Sequence, residues 1–222
     1  MDPLALLLAD SRFPSGSYAH SLGLEQAVRD GLADVPAFMR ARLRLVAEAD
    51  ARFAVEAHRC VHLAYRCQTP VYDLHTRLER EWAARTPSPV LREAARRLGA
   101  QLLRSAAAVW PGGEIARYRV DSDATPRPIA LGVVAAVAGV SEEDTALLAL
   151  YDDAATVASA ALKVLPLDPA ETARWLAELA PELSAAAARV AADRGPLPSP
   201  AAVALELSAP IHSEQRERLF AS

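Results

Sequence analysis

The chain has 222 residues, 52% of them hydrophobic and 23% charged, with a formal net charge of −4. A chain of this length buries roughly 70% of its unfolded surface on folding, so it needs no staple, and the composition excludes wholesale disorder. The mild acidity leaves no basic footprint for nucleic acid. Aromatics are only 5%, Asn is absent, and Ala and Leu dominate, a mixture that favours helix over sheet.

The apolar start, Leu4 to Ala9, follows Asp2 rather than a basic region and is shorter than a secretory core of roughly 7–15 residues. The longest uncharged stretch, Pro128 to Ser141, falls short of the ~18–20 residues of a spanning helix. The expectation is no signal peptide and no membrane span. Cys60 and Cys67 share a helical stretch that sets their Cα atoms about 10 Å apart, beyond disulfide reach. Free thiols in an unexported chain point to the cytoplasm.

Proline behind a small polar cap marks the helix starts. Ser21 is positioned to cap a first helix with Gly23 in its opening turn, where glycine would let another backbone approach. Asp34-Val35-Pro36 opens a long segment to about Tyr65, broken at Thr69-Pro70, and another runs from Tyr72 to Arg85. Ser88-Pro89 starts a helix to about Trp110, ended by Pro111-Gly112-Gly113, and a loop follows to Arg127. Pro128 to Val137 is apolar all round and predicts a buried helix. Ser141-Glu142-Glu143-Asp144 and Asp168-Pro169-Ala170-Glu171 resemble capping boxes. They open helices over 142–165 and 169–180, with a further helix over 184–193 and a last short one from Pro200 to about Leu207. No strand alternation, fixed repeat or Pro/Gly linker interrupts this pattern, so the expected fold is one all-α domain with a loose tail.

Most catalytic signatures are missing. Lys163 is the single lysine, no glycine-rich loop precedes it, and no phosphate-cradling loop can form. Asp152-Asp153 starts like an aspartate-rich magnesium motif, but Thr156 stands where a third acid is needed. His58 and His62 lie four apart on one helical face, which supplies two ligands; Cys60 points away from them. An ordinary helix surface explains that pair more simply, and no catalytic, cofactor-binding or metal residue is assigned.

The segment Asp10 to Glu25 is unlike its surroundings, with Pro14 and Gly16 at a turn crowded by Arg12, Phe13, Tyr18 and His20. Residue chemistry leaves two readings open: a partner-binding loop, or a turn whose Phe13 and Tyr18 plug the core. In the helix from Ser141, Asp152, Thr156, Ser159 and Lys163 form a polar stripe at spacings of four, three and four. It reads as a solvated edge, an internal hydrogen-bond network or an interface, and Tyr151 beside it is of a type enriched at interfaces. The tail, Ser208 to Ser222, ends in alternating charges and then Leu219-Phe220. Two large apolar residues so near an end fit a hook that orders on a partner, with Phe220 as anchor, or docking onto the chain's own core.

Phe13-Pro-Ser-Gly-Ser-Tyr-Ala-His-Ser-Leu-Gly-Leu-Glu25 resembles the opening motif of UreF, the urease accessory protein family. Arg92-Glu-Ala-Ala-Arg-Arg-Leu-Gly99, Pro128-Ile-Ala-Leu-Gly132, Ala138-Gly139, Tyr151, Ser159, Lys163-Val-Leu-Pro-Leu167, His212 and Arg218-Leu-Phe-Ala-Ser222 continue the resemblance in order along nearly the whole chain. Ser213 replaces a common Glu, Lys163 an occasional Arg, and Asp168-Pro169 a Gln-rich stretch; only the surface at that last corner is put in doubt.

The resemblance implies an all-α single-domain bundle of roughly nine or ten helices that pairs as a homodimer, with residues 1–207 as the domain and 208–222 as a tail ordered on a partner. It implies a non-enzymatic scaffold that binds UreD (also called UreH), recruits and regulates the GTPase UreG, and assists nickel insertion into apo-urease. Nickel would be handled by the complex, with no cofactor held by this chain. The implied partner interface comprises Arg12, Phe13, Pro14, Ser15, Gly16, Tyr18, His20, Ser21, Gly23 and Glu25 near the start. Tyr151, Lys163, His212, Arg218, Leu219 and Phe220 complete it. The alternative is a helical small-ligand-binding or regulatory protein, although no helix-turn-helix with a basic face accompanies it.

Overall fold

The computed structural model describes residues 2–10, 12–16, 19–67, 71–112, 115, 125–200, 202–215 and 217–220, with backbone alone over 64–67 and 71–75. In chain order the helices are α1 (Pro3–Ala9), α2 (Leu24–Arg29), α3 (Val35–Arg42), α4 (Glu48–Cys67), α5 (Val71–Ala84), α6 (Pro89–Val109), α7 (Arg127–Val137), α8 (Glu142–Val164), α9 (Pro169–Ala192) and α10 (Val203–Glu214). A π-helical turn, Leu43–Ala47, joins α3 to α4. The described residues hold no strand, and none of their helices is long and apolar enough to cross a membrane.

The caps follow the sequence logic. The carboxylate or hydroxyl of Asp34, Ser88, Ser141 and Asp168 accepts a backbone N–H in the first turn of α3, α6, α8 and α9 respectively. Asp2 does the same for α1, a helix that the apolar run Leu4 to Ala9 does not announce by itself. The Asp2 N–H in turn donates to Asp144 Oδ2 at 2.9 Å, tying α1 to the start of α8.

Helices α4, α7 and α8 form the centre. The first part of the core gathers Phe53, Leu102, Leu103, Ile129, Val133 and Val134 between α4, α6 and α7. The second gathers Leu24, Leu150, Val157, Trp175, Leu183 and Phe220 around α8 and α9. Helix α7 is buried along nearly its whole length, as its uniform apolarity requires. It approaches α4 so closely that a Cβ on Gly132 would stand 2.0 Å from the Ala54 carbonyl oxygen.

Two helix boundaries differ from the sequence expectation. A break was expected between 180 and 184, but α9 runs unbroken through Pro181. Proline in a helix interior forfeits one hydrogen bond and costs about 3 kcal/mol. Trp175, Leu179, Leu183, Ala186, Ala187 and Val190 are buried on both sides of it, and that burial holds the axis. Helix α10 likewise passes through Pro210 to Glu214 rather than ending near Leu207, because Ala209 and His212 are buried. It therefore crosses the expected boundary between residues 207 and 208.

Candidate partner interface

Helix α2 begins where the chain turns through Leu22 and Gly23, both at positive φ. Gly23 stands just ahead of the helix rather than inside its first turn, at φ +87°, a conformation that L side chains rarely adopt. What approaches it is a side chain, not the backbone expected: a Cβ there would meet Leu205 Cδ1 at 2.3 Å. Ser21 Oγ accepts the Glu25 N–H at 3.4 Å and so caps the turn.

Glu25 is the hub of this region. Its Oε1 accepts the Leu219 N–H at 2.9 Å and Arg29 Nη2 at 2.8 Å. Its Oε2 accepts the Phe220 N–H at 3.1 Å and His212 Nε2 at 3.0 Å. Burial works against the charged form, but the donors from Leu219, His212, Arg29 and Phe220 outweigh it and hold the carboxyl below its ordinary value. Gln215 Nε2 donates to Gln26 Oε1 at 2.7 Å, and Arg29 reaches the Glu217 carbonyl. The tail is thus folded onto α2 of its own chain. Phe220 is 4% exposed within the α8–α9 core, with Lys163 Nζ 4.9 Å from its ring centroid.

The residues singled out from sequence divide by depth. Phe13, Ser15, His20, Ser21, Glu25, His212 and Phe220 are buried, whereas Arg12, Pro14, Tyr151, Lys163, Arg218 and Leu219 are exposed; Gly16 and Gly23 lie between. Tyr18 lies outside the described residues, as do Arg216, Ala221 and Ser222. Ser21, Gly23, Glu25, Lys163, His212, Leu219 and Phe220 come together at the tail. Arg12 to Gly16 sits elsewhere, on α6: the Pro14 carbonyl accepts Gln101 Nε2 and Ser105 Oγ at 3.1 and 2.7 Å. Phe13 packs in the core against Trp110, with ring centroids 6.4 Å apart.

Three residues missed in the sequence complete the surface. Val203, Leu207 and Ile211 are exposed at four-residue spacing on α10, and Leu219 is exposed in the tail that follows; Leu207 and Leu219 are each 67% accessible. The spacing was legible, but ending the helix near Leu207 hid the stripe. Large apolar side chains clustered in this way mark interaction surfaces.

Beneath α2 and α10 lies a cavity of about 190 Å³. Arg42 pairs with Asp153 at 2.6 Å and donates to the Leu22 carbonyl; Arg127 pairs with Asp152 at 2.7 Å. The polar stripe of α8 therefore divides: Asp152 and Thr156 line the cavity, while Ser159 and Lys163 are exposed. Asp50 accepts Trp82 Nε1 at 3.0 Å, and desolvation pushes its carboxyl up to about 6. His20, on the same wall, is drawn down to about 4 by burial and then by Arg127 and Arg97. The pairs Arg42–Asp153 and Arg127–Asp152 fix the helices and orient the wall.

An all-α bundle whose tail is latched to its own second helix, and which presents an apolar stripe beside that latch, is the shape of an interaction protein. The UreF family model matches residues 30–180. The urease accessory protein UreF of a Mycobacterium species (strain JLS) is 36% identical over 98% of this chain and 97% of its own length. The UreF proteins of Mycobacterium marinum and Mycolicibacterium vanbaalenii are 35% and 34% identical, covering 100% and 98% of this chain and 100% and 97% of their own. The chain belongs to the UreF family of urease accessory proteins, a family of accessory proteins and not of catalysts.

Proposed function

We propose that this chain is a non-enzymatic scaffold of urease maturation, acting in the cytoplasm as a homodimer. It binds UreD/UreH, recruits and regulates the GTPase UreG, and so assists nickel delivery to apo-urease. The observation that carries the partner role is the exposed apolar set Val203, Leu207, Ile211 and Leu219. Left in water it gains nothing, and covered by a partner it supplies the apolar centre that interfaces use.

In this reading the buried members of the site, Glu25, His212 and Phe220, shape the platform rather than touch UreD/UreH themselves. The exposed members Arg12, Pro14, Arg218 and Leu219 make contact, and Tyr151 and Lys163 on α8 face the UreG dimer. The test is co-purification of UreD/UreH with the tagged chain from co-expressing cells. Leu207→Asp combined with Ile211→Asp abolishes capture while helicity and melting temperature stay unchanged. Undiminished capture by that double variant refutes the assignment of the face.

A further inference from the structure

On α4, away from the tail, His58 and His62 stand with ring centroids 4.7 Å apart and planes inclined at 58°. His58 is 4% exposed, and its Nε2 lies 2.7 Å from the Val140 carbonyl oxygen. A carbonyl only accepts, so Nε2 carries the hydrogen and Nδ1 of the neutral ring presents a lone pair. That Nδ1 is buried with no hydrogen-bond partner. Orphaned buried polar atoms are rare in native folds because desolvation is left uncompensated. His62, one turn on, is exposed.

We infer that His58 and His62 form a two-histidine site for a divalent transition ion, with His58 Nδ1 and a ring nitrogen of His62 as ligands. Metal-bound histidines characteristically donate the other ring N–H to a carbonyl or carboxylate, which fixes the tautomer; Val140 supplies that carbonyl here. Histidines four apart on a helix share one face and chelate one ion. Two nitrogens each ~2.1 Å from an ion stand about 3 Å apart, a separation open to rings whose centroids are 4.7 Å apart.

Cys60, two residues from each histidine, points to the other side of α4 and does not join the site. Among the described residues no group of three or more His, Cys, Asp or Glu is arranged around an ion. Water completes the coordination, and the affinity falls well short of that of a four-ligand structural site. The inference concerns this chain alone and does not rest on its proposed role in urease maturation.

The experiment titrates zinc, nickel and, as control, magnesium chloride into the untagged full-length chain by calorimetry. One equivalent of zinc or nickel binds, magnesium does not, and His62→Ala weakens binding at least about tenfold with unchanged circular dichroism. Nitrogen-15 NMR of the metal-free chain shows His58 protonated at Nε2, and its Nδ1 resonance moves on zinc addition. Binding by His62→Ala as tight as by the parent chain, no uptake of either ion, or a His58 protonated at Nδ1 overturns the proposal.

Discussion

Replacing Glu25 with Gln keeps the shape of the latch and removes half of its acceptors. Each carboxylate oxygen takes two hydrogens: Oε1 from Leu219 and Arg29, Oε2 from Phe220 and His212. An amide accepts at one atom only, so one pair of donors loses its partner and faces an NH2 group. An unsatisfied buried donor costs about 1–3 kcal/mol and a half-exposed one such as Arg29 less, so the docked tail loses ~2 kcal/mol. The tail can escape this cost by releasing, and its opening equilibrium therefore rises about thirtyfold. Hydrogen–deuterium exchange reads this directly at the Leu219 and Phe220 amides. Their protection should fall by that factor while α8 and α9 keep theirs, and trypsin should cleave after Arg218 correspondingly faster. Unchanged protection of the two amides in Glu25→Gln refutes the hub.

Acid should open the same latch. Glu25 has a folded value below its ordinary 4.5, so its contribution is complete above about that pH and is lost as pH falls through the lower folded value; tail-amide exchange followed across this range should show the transition. Asp50 runs the opposite way: its folded value of about 6 lies above the ordinary 3.8, so its stability contribution is full below 3.8 and is lost as pH rises through 6. Asp50→Asn, which can still accept Trp82 Nε1, should match the parent near pH 4 and exceed it by ~1–3 kcal/mol in urea melts at pH 8. Gly132→Ala should cost roughly 3 kcal/mol in the same melts, since its Cβ meets backbone on α4 that cannot move aside.

Much of the fold was legible because helix starts are local. A polar cap followed within one or two residues by proline specifies α3, α6 and α9 through contacts within a single turn. Helix ends under tertiary control were not: nothing local to Pro181 or Pro210 reveals the burial that carries α9 and α10 past them. The widening to a π turn at Leu43–Ala47 had no sequence mark either. The opening motif and the tail were both singled out, but their relation was hidden, because Glu25 meets His212 and Phe220 across 187 and 195 positions of the chain. The His58–His62 spacing was visible from the start. The unpartnered Nδ1 that gives it meaning depends on Val140, 82 positions away.

The central claim is that this chain serves urease maturation through its α10 face. It is tested most directly by the nickel content of urease purified from cells lacking the chain. The account expects apo-urease in those cells, full metallation on return of the parent chain, and little on return of the Leu207→Asp, Ile211→Asp variant. Urease that carries its full nickel without the chain would contradict it.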